Sequence, residues 1–356
     1  MFEPRHESRP LLTPAGWLCL GLSLVGCLAV FNATFHLDNP YQFVAEQVLW
    51  ILPSALVLIT ATRCPQPWLW RLMLPLSVLV LLGMWTVLLR GVHVTGAFPW
   101  FNVQGIRIQV AELGKPVFAL VIAWMFYKTD ENSEDWLQGF LPVLAATTLW
   151  LLPMLVKPAP GVLSVYLFPV FVLFLCTGRP VKHALLYGFL AALMIGVAFH
   201  FAPPSEAAVA SGALHQTPSA WQTEQFRRAL ASGGLFGKSL GHGIWSQFNL
   251  PPAHHGSVFA ALGESLGLFG LIPILMLLVA WVLHGWKGAR DQVNPLHAHA
   301  IVLLTALPAT QALLHLSVNL GILPALSMPL PLISHGGSSL VTTFAIVGIL
   351  ENLRRG

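Results

Sequence analysis

Long apolar runs, separated by short polar or proline-rich connections, make up most of the chain. A membrane-spanning helix needs about 20 apolar residues, and ten runs approach or meet that length. A transmembrane barrel would instead show short segments of alternating hydrophobicity. The pattern therefore predicts an all-α polytopic membrane protein, with spans at about 15–34, 43–61, 67–89, 108–127, 138–156, 160–177, 181–202, 257–285, 297–319 and 332–352.

The basic residues predict how these spans are oriented. With the N-terminus inside, eleven Lys and Arg residues fall in cytoplasmic connections and six in outer connections, and an excess on the cytoplasmic side is the usual bias. Both termini are therefore predicted to be cytoplasmic, with residues 1–14 as an N-terminal tail of one transmembrane domain, 1–356. Two long connections face outwards, at about 90–107 and 203–256, and Phe226 lies in a short amphipathic helix of the second.

Composition supports the same class and excludes others. The chain is 56% hydrophobic and 9% charged, whereas soluble domains carry about 25% charged residues. The net charge of +4 is spread between apolar runs, which is not the concentrated basic face of a nucleic-acid-binding protein. The lipid bilayer is the partner that this composition predicts.

An irregular loop near the C-terminus interrupts the apolar pattern. Residues 323–339 contain three prolines and the Gly336–Gly337 pair, which favour a turn over a helix. The hydroxyls of Ser334, Ser338 and Ser339 are expected to cap the helix that follows. Irregular backbone within a bilayer must be buried in protein or line a wet cavity, so the loop is either a packed plug or part of a site.

Ionisable residues within spans are costly and are therefore candidates for function. Glu112 and Lys115 lie three apart on one helix face, and Glu264 lies between glycines that allow another backbone to approach. A buried pair that only fixes helix packing is the alternative interpretation. Glu46 lies near the outer end of its span and is expected to be exposed.

Two further patterns are weaker. Gly233–Ser239 resembles a phosphate-binding loop but lacks the required glycine spacing and a preceding strand, so a nucleotide site is rejected. The histidine pairs His254–His255 and His297–His299 lack other ligands nearby in the sequence. They are interpreted as exposed loop histidines, and no metal site is predicted.

Four segments together resemble the SEDS family (shape, elongation, division and sporulation), the FtsW/RodA/SpoVE-type membrane proteins. Residues 324–339 are similar to the family signature P-x-T-G-x-P-L-P-F-x-S-Y-G-G-S-S. Residues 232–241 resemble G-S-G-G-L-F-G-K-G-L-G, and residues 250–267 resemble L-P-E-A-H-T-D-F-I-F-A-V-I-G-E-E-L-G. Residues 109–115 resemble Q-P-S-E-x-x-K. The resemblance runs in the family's order from about Trp100 to the end.

The resemblance implies glycosyl transfer in bacterial peptidoglycan synthesis, in cell division or shape maintenance. Family members polymerise lipid II, an undecaprenyl-linked disaccharide-peptide, on the outer face of the cytoplasmic (inner) membrane beside a class B penicillin-binding protein. It implies no resident cofactor and leaves a divalent cation open. The residues expected to bind substrate are Glu112, Lys115, Lys238, Ser334, His335, Gly336, Gly337, Ser338 and Ser339.

Departures from the family pattern leave the activity open. The aspartate held to be catalytic in the family falls at Gly256, and glycine cannot act as a base. An expected aspartate is Ala159, an arginine before Trp100 is Pro99, and the signature tyrosine is His335. The chain is therefore a glycosyltransferase using His254, His255 or Glu264 as a displaced base, a scaffold that binds lipid-linked substrate or a partner without polymerising, or a lipid II translocase.

Overall fold

The helices of the protein follow the predicted spans closely. The computed structural model describes residues 13–91, 98–103, 106–201, 218–245, 250, 256–324, 326 and 328–355. The helices are α1 (Pro14–Thr34), α2 (Pro40–Arg63), α3 (Gln66–Arg90), α4 (Val110–Leu113), α5 (Lys115–Lys128), α6 (Leu141–Val156), α7 (Pro160–Cys176), α8 (Val181–Phe201), α9 (Pro218–Gly233), α10 (Val258–Arg290), α11 (Pro295–Asn319) and α12 (Gly337–Leu353).

The all-α polytopic prediction is confirmed. Within the described residues, seven helices are long and apolar enough to cross a membrane, counting α6 together with the π-helical turn Trp136–Phe140 that precedes it. The shorter apolar helices α7 and α12 account for two more predicted spans. The remaining span consists of α4 and α5, which meet at Gly114 because Pro116 cannot donate a hydrogen bond to the Glu112 carbonyl.

The connections predicted to face outwards contain two small elements. A hairpin of β1 (Phe101–Val103) and β2 (Ile106–Ile108) pairs antiparallel, with Phe101 opposite Ile108. The predicted amphipathic helix is α9, which buries Phe226 and exposes Arg228. The rest of the predicted loop 203–256 lies mainly outside the described residues.

Helix α10 contains a break at Gly267. At Gly267 the backbone has φ 66° and ψ −173°, so the helix ladder is interrupted inside an otherwise apolar span. The segment Gly233–Ser239, here called the clip, lies against this break. The amides of Lys238 and Ser239 donate to the carbonyls of Glu264 and Ser265 at 3.0 and 3.1 Å. The amides of Leu268 and Phe269 donate to carbonyls of the clip at 3.0 and 3.1 Å.

The clip therefore supplies the hydrogen bonds that the broken helix lacks. Buried backbone groups need such partners, and the glycines follow from the close approach. A Cβ atom at Gly237, where φ is +77°, would overlap the Ser265 carbonyl. The glycine pattern that resembled a phosphate-binding loop is thus explained by helix packing.

Helix α1 joins the same region through one amide side chain. Asn32 is 1% exposed. Its Oδ1 accepts from the Gly241 amide at 2.8 Å and from Ser265 Oγ at 2.9 Å, and its Nδ2 donates to the Ala261 carbonyl at 3.3 Å. One residue of α1 therefore contacts both the segment just after the clip and the part of α10 before its break.

Helix α12 packs along α2. At Gly348 a Cβ atom would lie 2.7 Å from the Ala61 methyl, so this glycine permits the close approach. Asn352 Nδ2 donates to the carbonyls of Ala61 and Cys64 at 2.8 and 2.6 Å, which satisfies the end of α2. This packing fixes where the irregular loop before α12 can lie.

Candidate functional site

A buried ion pair lies at the centre of the candidate site. Lys115 Nζ is 2.6 Å from Glu112 Oε1, and the side chains are only 3% and 8% exposed. Lys115 also donates to Oε1 of Gln311 on α11. A buried ammonium is tolerated only when it is paired and hydrogen-bonded, so these contacts hold the α4–α5 segment against α11.

Three polar residues of α11 form a continuous face, here called the polar ridge: Gln311, His315 and Asn319. They are four residues apart and so share one side of the helix. Gln311 Nε2 donates to the Pro329 carbonyl at 2.9 Å, and His315 Nδ1 bonds the Met328 carbonyl at 2.8 Å. Because the loop is rich in prolines, which lack N–H groups, side-chain donors from the ridge satisfy its carbonyls.

The ridge also reaches the position of the missing family aspartate. Asn319 Nδ2 donates to the Gly256 carbonyl at 3.2 Å and to the His315 carbonyl at 2.8 Å. Asn319 Oδ1 accepts from the Ala260 amide at 3.1 Å. A Cβ atom built at Gly256 would meet nothing within 4 Å. The ion pair, the proline-rich loop and Gly256 are therefore linked through one helix face.

The expected serine caps of α12 are wrong. The N-cap residue is Gly336, and no side chain caps the first turn. Ser334 Oγ instead accepts from the Leu330 amide at 2.7 Å, within the loop. Ser338 and Ser339 lie in the first turn itself and are 3% and 4% exposed. The Ser334 hydroxyl therefore stabilises a turn within the loop and does not cap α12.

Two glycines are required by contacts with the loop. A Cβ atom at Gly337 would overlap the Trp50 indole. At Gly26 of α1, a Cβ atom would lie 2.7 Å from the Leu332 carbonyl. The loop is consequently packed between α1 and α2. The contact with Trp50 explains why position 337 is a glycine, independently of its predicted substrate contact.

Glu264, a predicted catalytic residue, is completely buried. It is 0% exposed, and its Oε1 accepts from Ser232 Oγ at 3.1 Å and from the Trp245 amide at 3.0 Å. These contacts connect α10 with the end of α9 and the segment after the clip. Lys238, a predicted substrate contact, is half-buried, and its backbone amide donates to the Glu264 carbonyl.

The loop's last residues contact the outer part of α2. His335 Nε2 lies 3.4 Å from Glu46 Oε2, with side chains 20% and 45% exposed. Gln47 Nε2 donates to the Ser334 carbonyl at 3.4 Å, and these two residues are 287 positions apart. The exposure expected for Glu46 is confirmed, but its pairing with His335 has no local signal in the sequence.

The described histidines of the two predicted pairs are buried. His254 and His255 lie outside the described residues. His297 and His299 are 7% and 9% exposed, so they are not exposed loop residues. They lie in the first turns of α11, where His297 stacks on the Trp70 ring at 5.9 Å. No group of three or more metal-ligating side chains occurs among the residues that the structure describes.

The sequence matches a known family over nearly its whole length. The FtsW/RodA/SpoVE family model, described as a cell cycle protein, matches residues 10–356. The chain belongs to the FtsW/RodA/SpoVE family. As a family member with this set of apolar helices, it is a multi-pass membrane protein.

FtsW proteins are similar to this FtsW/RodA/SpoVE member over nearly its whole length. A Halomonas elongata protein named "Probable peptidoglycan glycosyltransferase FtsW" is 30% identical, with 94% of this chain and 89% of that protein covered. A protein of the same name from Thioalkalivibrio sulfidiphilus is also 30% identical, covering 95% and 86%.

Solved structures share the fold of this FtsW/RodA/SpoVE member. The rod shape determining protein RodA of Thermus thermophilus has a TM-score of 0.72 at 22% identity, covering 99% of this chain and 98% of that one. A chain of a peptidoglycan synthase complex has a TM-score of 0.76 at 23% identity, covering 95% and 97%.

The polar ridge was not predicted from the sequence. Charged groups within spans indicated candidate sites, whereas Gln311, His315 and Asn319 carry amide or imidazole side chains. A signal was present, since three polar residues recur every four positions in an apolar span. By contrast, the predicted Glu112–Lys115 pair forms as its spacing indicated.

Proposed function

We propose that this FtsW/RodA/SpoVE-family protein polymerises lipid II into glycan strands on the outer face of the bacterial cytoplasmic membrane. The observation that carries the proposal is the buried Glu112–Lys115 pair, which the polar ridge links to the proline-rich loop and to Gly256. Kinship with proteins named as peptidoglycan glycosyltransferases supports this chemistry. A class B penicillin-binding protein is the proposed partner.

The reaction makes two demands on the site. A base must take the proton of the attacking sugar hydroxyl, and donors or cations must stabilise the departing pyrophosphate. We assign the ion pair and the ridge to positioning. Lys115 is engaged with the Glu112 and Gln311 side chains, and the ridge residues are engaged with backbone carbonyls. The base must therefore come from the segments, predicted to face outwards, that the ion pair and the polar ridge hold in place.

A second candidate function rests on Gly256. Since this position carries no carboxylate, the chain is alternatively a scaffold that binds lipid-linked substrate or its partner without turnover. The open space beside Gly256 makes the alternative testable, because Gly256→Asp introduces the family's acid without a steric clash.

The deciding experiment measures glycan strands formed from labelled lipid II by the purified chain with a class B partner. Under the proposal, wild-type protein makes strands and Glu112→Gln loses most of that activity, because Lys115 loses its charged partner. Activity of Gly256→Asp together with an inactive wild type would establish the scaffold. If neither the wild type nor Gly256→Asp made strands while an FtsW control did, glycosyl transfer would be rejected.

A further inference from the structure

Two neighbouring arginines on α9 have different surroundings. Arg228 Nε is 2.8 Å from Glu224 Oε1, and its guanidinium lies over the Trp245 ring, 5.6 Å from the ring centroid. Arg227 is exposed, and no hydrogen bond or ion pair joins its guanidinium to any residue that the structure describes. One arginine is therefore engaged within the protein, whereas the other presents its positive charge to the surroundings.

The stem of Arg227 is held in place by a glycine. Gly321 follows the end of α11 with φ +76°, and a Cβ atom there would lie 2.6 Å from Arg227 Cδ. Glycine suits this left-handed position at a helix end, and the absence of a side chain also admits the arginine stem. An arginine can pack its stem while its charged group stays in water. The charge is thus placed by packing without being neutralised.

This contact lies at the end of the polar ridge. Gly321 comes two residues after Asn319, so their Cα atoms are at most about 7 Å apart. Asn319 Nδ2 donates to the Gly256 carbonyl, at the position of the family aspartate. The stem of Arg227, the end of the ridge and Gly256 therefore belong to one part of the molecule, in the region predicted to face outwards.

We propose that Arg227 binds the pyrophosphate group of the lipid-linked donor and stabilises it as it departs. The inference rests on the proposed glycosyl transfer, whose leaving group is an anionic pyrophosphate. A guanidinium presents its donors in a planar fork that matches phosphate oxygens in a bidentate arrangement. A cation held where negative charge develops lowers the barrier of such a step. Arg227 touches the leaving group and is therefore assigned as a catalytic residue.

The charge balance of the step shows why a cation is needed. The oxygen of the acceptor hydroxyl forms a bond to the anomeric carbon of the donor sugar, and its proton passes to the base of the site. The bond between that carbon and the pyrophosphate oxygen breaks, and the electron pair stays on the oxygen. The pyrophosphate thereby gains one negative charge, which the guanidinium offsets. Arg227 neither gains nor loses a proton.

Three other cations fit this role less well. Lys115 is 2% exposed and ion-paired, and Arg228 is ion-paired and stacked on an indole. Lys238, a predicted substrate contact, is half-buried, and its ammonium is a point charge rather than a fork. Of these four residues, Arg227 alone combines a packed stem with an exposed guanidinium that no described residue binds.

The first test measures binding and needs no turnover. The full chain, purified in detergent, is titrated with undecaprenyl pyrophosphate. Arg227→Gln should weaken binding by about tenfold or more, as expected for loss of hydrogen bonds between charged groups. Arg227→Lys should retain part of the affinity, because it keeps the charge and loses the fork. Arg228→Gln, on the next residue of the same helix, is the matched control and should leave the affinity unchanged.

The second test measures strand formation from lipid II by the full chain with its class B partner. Arg227→Gln should lower kcat by about a hundredfold, the usual cost of removing a group that stabilises developing charge. Arg228→Gln should keep the wild-type rate.

The outcomes separate this assignment from the proposed function. Wild-type affinity and rate in Arg227→Gln would overturn the role of Arg227 and leave glycosyl transfer standing, as would losses that occur in Lys238→Gln alone. A wild type that makes no strands would overturn the proposed function, whereas the binding series would still decide whether Arg227 holds the pyrophosphate.

Discussion

Lys115 is the residue whose burial makes the greatest demand on its surroundings. The residue is 2% exposed in a membrane-spanning segment, and its ammonium is hydrogen-bonded to Glu112 and Gln311. Removing one member of a buried pair leaves an uncompensated charge, whereas replacing both removes the penalty. The stability of the protein should therefore depend on the pair as a unit.

Single and double substitutions test this dependence. Glu112→Gln should destabilise the protein by about 3–5 kcal/mol, the usual cost of breaking a buried pair. Glu112→Gln/Lys115→Met should recover much of that loss, although polymerisation stays low. Thermal unfolding in detergent measures both. Equal losses in the single and double variants would show that the charge of Lys115 is not what Glu112 compensates.

His315 offers a second test at the residue scale. His315→Leu leaves the buried Met328 carbonyl without this donor and should cost about 1–3 kcal/mol, whereas His315→Asn retains an amide donor near the Nδ1 position. Melting temperatures of the two variants give the comparison. If His315→Asn is no more stable than His315→Leu, the hydrogen bond to Met328 does not set the role of the imidazole.

Among the elements, α10 differs most from what its sequence indicates. Its apolar run predicted one continuous span, yet Gly267 interrupts the helix and the clip completes its hydrogen bonds. A glycine within a span does not reveal a break by itself, because the break is stable only when a separate segment docks against it. Spacing predicted the length of this element, and the docking determined its shape.

Two clip glycines provide a matched pair for testing that docking. Both have positive φ, but Gly234 has open space around it, whereas a side chain at Gly237 would overlap the Ser265 carbonyl. Gly234→Ala should cost about 1–2 kcal/mol from backbone strain alone, and Gly237→Ala should cost clearly more. Hydrogen exchange at Lys238 and Ser239 should rise only in Gly237→Ala. Equal protection in both variants would contradict the docked clip.

At the scale of the whole molecule, the sequence predicted the ten-span plan because bilayer thickness fixes the length of each apolar run. It also predicted the Glu112–Lys115 pair, which is local. It could not predict the contact of Gln47 with Ser334 or of Asn32 with Ala261, since these residues are 287 and 229 positions apart. Such contacts depend on how the spans are arranged, which apolar periodicity does not encode.

The orientation of the whole molecule is open to a labelling test. In a variant without its four native cysteines, Asp38→Cys should react with a membrane-impermeant maleimide in intact cells with a permeable outer envelope. Val293→Cys, at a position 94% exposed between α10 and α11, should react only after the membrane is opened. The reverse pattern would invert the topology derived from the basic residues.

The contacts of Asn32 set an order of assembly during synthesis. The clip and α10 are neighbours in the chain and can dock soon after both have been inserted. Asn32 is made much earlier, yet its partners Gly241 and Ala261 are 209 and 229 residues further on. Helix α1 therefore lacks these partners until most of the protein has been translated. Its docking against α10 is a late step of biogenesis, and until then the clip region lacks its contacts with α1.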